Sequence, residues 1–134
     1  MITSINFAKL LTYLGAIPFI VCACLRTSDL ILLTYGLAIA SFMAGTHCGL
    51  CLKKSDMFAH GILLASTVVT LSAWFCYLLC SASICLLIFA GIFISLMFID
   101  YLLYRKNIES KDYFQLRLSI TTIVVVSLLA KLLY

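Results

Sequence analysis

Apolar residues run almost unbroken through five stretches of the chain: roughly Phe7–Leu25, Leu30–Leu52, Ala59–Leu79, Ala82–Tyr104 and Leu116–Tyr134. A helix rises about 1.5 Å per residue, so about 20 residues cross about 30 Å of hydrocarbon, and each stretch suffices. Three of the breaks carry the few charges: Arg26 to Asp29, Lys53 to Asp56 and Arg105 to Asp112. The break at Cys80–Ser83 carries none. It is placed there because the runs on either side, merged, would make more than two crossings' worth of chain. The last run, SITTIVVVSLL, is rich in β-branched residues, which in water suggests a strand. In lipid each segment must satisfy its own backbone polar groups, and the run lacks the polar alternation of a barrel strand, so a helix is predicted. The expected fold is an all-α integral membrane protein, a bundle of five transmembrane helices forming one domain over residues 1–134. No internal repeat or linker divides it.

Composition strengthens this reading. Hydrophobic residues make up 65% of the chain and charged residues 10%, too few charges to coat a water-facing surface. The formal net charge is +4, but the cations flank apolar runs rather than forming a basic stripe. Nucleic-acid binding is excluded, and the lipid bilayer is the implied partner. With five spans, the N-terminus and the second and fourth loops share a side. That side holds Lys9, Lys53, Lys54, Arg105, Lys106, Lys111 and Arg117; the other holds Arg26 and Lys131. The positive-inside rule then puts the N-terminus in the cytoplasm, or the equivalent compartment, and the C-terminus outside. Trp74 would lie near the outer interface and Tyr101, Tyr104 and Tyr113 near the inner one. The first run reads as a retained helix with a kink at Pro18 rather than a cleaved signal.

Candidate chemistry begins with residues 41–52, SFMAGTHCGLCL. Ser41, Gly45 and Gly49 recur every four residues, the small-xxx-small pattern that lets helix backbones approach closely. They are expected to form a packing seam, with Gly15 and Pro18 of the first run in the same role. His47 lies beside the stripe, and a polar ring at that depth needs a partner inside the bundle. It is either a structural hydrogen-bonding group or a proton or metal ligand. His47, Cys48 and Cys51 could in principle hold a soft metal, but Cys48 points well away from His47 on a helix, so no metal site is expected. A CxxC redox role is disfavoured too, because these thiols lie near a helix C-terminus rather than an N-terminus. The cysteines at 22, 24, 48, 51, 76, 80 and 85 read mostly as reduced packing residues. Asp100 is the other intramembrane charge, predicted at about the depth of His47, and Arg117 opens the fifth run on the same side. A charge in lipid is costly unless paired, so His47, Asp100 and Arg117 are expected to form a polar cluster, with Thr121 one turn beyond Arg117. His60 is expected at the solvated interface.

No serine elbow, paired metal-binding carboxylates or phosphate loop is visible. The segments LTYLGAIPF (11–19), YG-x-x-I-x-SFMAGTHCG (35–49), an aspartate closing the fourth span and DYFQLRLSIT (112–121) resemble the membrane family called domain of unknown function 3429. Its animal members are named transmembrane protein 69. The resemblance covers about Leu11 to Leu129. It departs at Cys48, where the family pattern has tryptophan, and at Ser119, where it has proline. It implies a small multi-spanning inner-membrane protein, bacterial or mitochondrial, and no assigned activity. Two functions of different class are therefore expected. The first is a non-enzymatic helical module without cofactor that associates with other membrane proteins, or with itself as a homodimer. The second is a small carrier or proton-coupled permease using His47, Asp100 and Arg117.

Overall fold

The computed structural model describes residues 4–25, 28–52 and 56–133. These form five helices: α1 (Ser4–Cys24), α2 (Asp29–Cys51), α3 (Met57–Leu79), α4 (Ala82–Arg105) and α5 (Lys111–Leu133). Each is long and apolar enough to cross a membrane, and the chain reads as an integral membrane protein. Arg26, Lys53 and Lys54, on which the expected charge asymmetry partly rests, lie outside the described residues, as does Tyr134.

Side-chain caps fix where helices begin. Ser28 Oγ accepts the Leu30 N–H at 3.3 Å ahead of α2, and Asp56 Oδ1 accepts the Ala59 N–H at 3.1 Å ahead of α3. Such caps satisfy donors that the helix itself leaves unpaired. Between α3 and α4 only Cys80 and Ser81 intervene, both extended, so the uncharged break is a tight reversal. The fifth helix departs from expectation. It opens at Lys111 rather than Leu116, because Ser110 Oγ accepts the Tyr113 N–H at 3.2 Å and caps a turn of polar residues. Arg117 therefore sits nearly two turns inside α5 instead of at its mouth.

The turn before α5 has its own logic. Asn107 takes a left-handed conformation, φ 57°. The Ile108 N–H then reaches the Leu103 carbonyl and the Asn107 N–H the Tyr104 carbonyl, both at 3.0 Å. This is a Schellman motif, and Ile108 packs on the core beside fully buried Leu103, the apolar contact that accompanies such ends. The chain is folded back over the end of the bundle, and the next residue, Glu109, is buried.

Helix α4 packs against α2, α3 and α5, while α1 packs against α5 and α2. Phe19 lies between Tyr35 and Phe93 at centroid distances of 5.1 and 5.9 Å. The Tyr35 hydroxyl donates to the Gly15 carbonyl at 2.7 Å, in the helical turn that Pro18 disturbs. Thr34 and Tyr77 hydroxyls bond at 3.0 Å, and Lys131 lies 3.7 Å from Asp29 at the far end. The exterior is apolar, with Phe42, Leu64 and Val126 all well exposed. Outward hydroxyls such as Ser41, Thr46, Ser95 and Thr122 turn back to the carbonyl four residues earlier, which hides them from lipid.

The expected packing seam lies on the outer face of the bundle. Ser41, Gly45 and Gly49 are exposed, and a Cβ at Gly45 or Gly49 would meet nothing within 4 Å. The opposite face of α2, with Ala40, Met43, Ala44 and His47, is the buried one. The core packs on the His47 side of α2, and the stripe faces away from it. The glycine that does permit close approach is Gly36, where a Cβ would lie 3.1 Å from the Phe89 ring and 3.7 Å from Phe19. Gly36→Leu should therefore destabilise by about 1–3 kcal/mol through overpacking, read as a lower melting temperature in detergent. Gly91→Leu, where nothing lies within 4 Å, should cause no such loss.

Candidate functional site

Three helices each deliver one side chain to a single carboxylate. His47 lies four residues before the end of α2, Asp100 five before the end of α4, and Arg117 six after the start of α5. His47 and Asp100 are completely buried and Arg117 is 8% exposed. His47 Nε2 stands 2.7 Å from Asp100 Oδ1, and Arg117 Nε donates to Asp100 Oδ2 at 3.1 Å. Arg117 Nη2 is also 3.1 Å from Oδ2, in ion-pair range though not aligned as a hydrogen bond. The two carboxylate oxygens are thus divided between two neighbouring helices. With Asp100 accepting, the proton lies on His47 Nε2, and Nδ1 is left buried with no partner among the described residues. The Arg117 guanidinium also lies over the Tyr113 ring, 5.8 Å from its centroid, a further favourable contact for a cation.

Glu109 completes the group, and the sequence reading did not single it out. It is 7% exposed, and neither carboxyl oxygen has a hydrogen-bond partner among the described residues. Burial first, and then the neighbouring Asp100, push its carboxyl up to about 9, with Arg117 pulling the other way. It stays protonated near neutrality unless positive charge arrives beside it. The signal that could have found it is the segment Lys106-Asn107-Ile108: an asparagine at the left-handed position followed by an apolar residue marks a Schellman end and an inward fold.

The structure does not bring every expected residue to the site. Thr121 is buried, but its hydroxyl bonds to no member of the cluster. It lines an apolar groove of about 510 Å³ between α4 and α5, with Phe98 and Leu118. Cys48 and Cys51 do not join His47. Among the described residues, the His, Cys and carboxylate donors that gather within 4.8 Å of one another are those of His47, Asp100 and Glu109. No cysteine forms a disulfide. Cys76 and Cys85 Sγ atoms are 3.3 Å apart, and the Cys85 thiol donates to the Cys76 carbonyl at 3.0 Å. His60 is exposed, and Trp74 is partly so. Beside the cluster opens a cavity of about 330 Å³, lined among others by Lys9, Thr46, Glu109, Asp112, Tyr113 and Leu116.

The family whose profile covers residues 5–133 is described as protein of unknown function (DUF3429). The chain belongs to this family. No curated protein and no solved structure matches it. In this DUF3429 protein the segments around His47 and Arg117, far apart in sequence, meet at Asp100. The family description assigns no activity, so any role for the cluster has to be argued from its geometry.

A buried ion pair tolerates removal of both partners better than of one. Arg117→Met alone strands the Asp100 carboxylate and should cost about 3–5 kcal/mol. Adding Asp100→Leu should recover most of that loss, because no ionised Asp100 carboxylate is then left buried without its cation. A double-mutant cycle of melting in detergent measures this. Simple additivity of the two losses would contradict the pairing.

Proposed function

We propose that this DUF3429 protein is a non-enzymatic helical module of a bacterial or mitochondrial inner membrane. It docks against a transmembrane helix of another membrane protein. The observation that carries the reading is the outward stripe of α2. Ser41, Gly45 and Gly49 are exposed, and Cβ atoms at Gly45 and Gly49 would stand in open space. Small residues on a lipid-facing stripe contribute little to the bundle. Against a second helix they allow the close backbone approach that drives association in lipid. The Ser41 and Thr46 hydroxyls are bonded to their own helix, so docking strands no polar group. The short connections agree with such a role.

The orientation proposed is N-terminus in the cytoplasm, or equivalent compartment, and C-terminus outside. Its support is the placement of Lys9, Arg105, Lys106 and Lys111 at one end of the bundle, against Lys131 at the other. A second reading, a small carrier or proton-coupled permease, is favoured by one observation: a buried charged cluster adjoining a cavity. If a strain lacking the protein is still complemented by the His47→Leu, Asp100→Leu double variant, the carrier reading is wrong.

Gly45→Leu together with Gly49→Leu should reduce recovery of a co-purifying membrane chain by about tenfold, equivalent to about 1.4 kcal/mol. The melting temperature should be unchanged, and Gly61→Leu should leave the association intact. Equal recovery from all variants would remove the docking role from α2. A reporter fused to the C-terminus should be active only if it folds on the outer side; cytoplasmic activity would reverse the proposed orientation.

A further inference from the structure

We infer that His47, Asp100 and Glu109 form a binding site for one divalent cation of the zinc, manganese or iron(II) class. The inference stands on the arrangement of donors, independently of the docking role of α2. One ligand atom from each residue lies within 4.8 Å of the others, and all three residues are buried. Ligand atoms on a single ion at about 2.1 Å stand at most about 4.2 Å apart. At tetrahedral angles they stand about 3.4 Å apart, so closing the set around an ion needs a side-chain movement of at most about 1.4 Å.

A further feature points to a ligand. Glu109 is buried, and neither of its carboxyl oxygens has a hydrogen-bond partner among the described residues. Buried polar atoms without partners are uncommon and costly, and a cation supplies the missing partner for the carboxylate. His47 and Asp100 already share a proton position at 2.7 Å; an ion that takes that proton's place needs only a small separation of the two atoms.

The neighbouring Arg117 is compatible with this. Its guanidinium holds Asp100 Oδ2, leaving Oδ1 on the side of His47. A ligand carboxylate whose second oxygen is fixed by a basic group is a common outer-shell arrangement. Two carboxylates also oppose the combined charge of the ion and the guanidinium. The donor set is one imidazole and two carboxylates, with no thiolate. That chemistry suits zinc, manganese or iron(II) better than copper(I), and it offers too few oxygens for calcium. The cavity of about 330 Å³ that Glu109 lines gives a route from the end of the bundle, with Lys9 and Asp112 also on its wall. An ion bound there ties the α4–α5 turn to α2 and α4.

The full chain, purified in detergent and stripped with a chelator, is titrated with zinc and with manganese, reading bound metal per chain and melting temperature. The expected result is one ion per chain and a raised melting temperature. Glu109→Gln should weaken binding by at least about tenfold, with the metal-free melting temperature not lowered, while Cys48→Ala should bind like the unsubstituted chain. Cobalt(II) should compete for the site and give visible absorption bands that change in His47→Gln. Failure of both metals to bind near one per chain, or binding that Glu109→Gln leaves unchanged, would overturn the inference.

Discussion

The bundle depends on one constraint: a carboxylate in hydrocarbon must be paired within the protein. Asp100 is fully buried on the core face of α4, five residues before the helix ends. Its two oxygens are taken by His47 from α2 and Arg117 from α5. Apolar contacts between helices discriminate weakly in lipid, because lipid tails are as apolar as leucine. Charge pairing discriminates strongly. The clasp at Asp100 therefore sets the rotation of α2, α4 and α5 about their own axes, and the phenylalanines and leucines of the core fill the space that this rotation defines.

The turn between α4 and α5 serves the same end. A left-handed Asn107 and the Schellman bonds reverse the chain within a few residues, and the Ser110 cap starts α5 at once. The early start puts Arg117 at the depth of Asp100. The tight reversal also buries Glu109, which brings a second carboxyl to the cluster and leaves it without a hydrogen-bond partner among the described residues. One local motif thus creates both the ion pair and the unmet group beside it. At the other end of the bundle, Lys131 and Asp29 tie α5 to α2, and a close approach at Gly36 lets Phe89 and Phe19 fill the middle.

The five helices were legible because apolar length is a direct consequence of bilayer thickness. The meeting of His47, Asp100 and Arg117 was legible because intramembrane charges need partners, and their distances along each run put them at one depth. Rotation about the helix axis was not legible. These helices are apolar almost all round, so no polar face marks the outside, and the spacing of Ser41, Gly45 and Gly49 marks a packing seam without saying which side of the bundle it faces. The same ambiguity misplaced Thr121, which follows Arg117 by one turn yet faces a groove. Glu109 was hidden because it stands among Arg105, Lys106, Lys111 and Asp112, a charged stretch that reads as solvated. Gly36 lacks any spacing pattern, and only the approach of Phe89 reveals its role.

The most direct test of the clasp is magic-angle spinning NMR of the isotopically labelled protein in lipid bilayers, reading contacts to the Asp100 carboxylate carbon. The account predicts through-space cross-peaks from that carbon to both Arg117 Nε and His47 Nε2, protected from exchange with water. An Asp100 carboxylate that contacts neither nitrogen, or that exchanges freely with water, would contradict it.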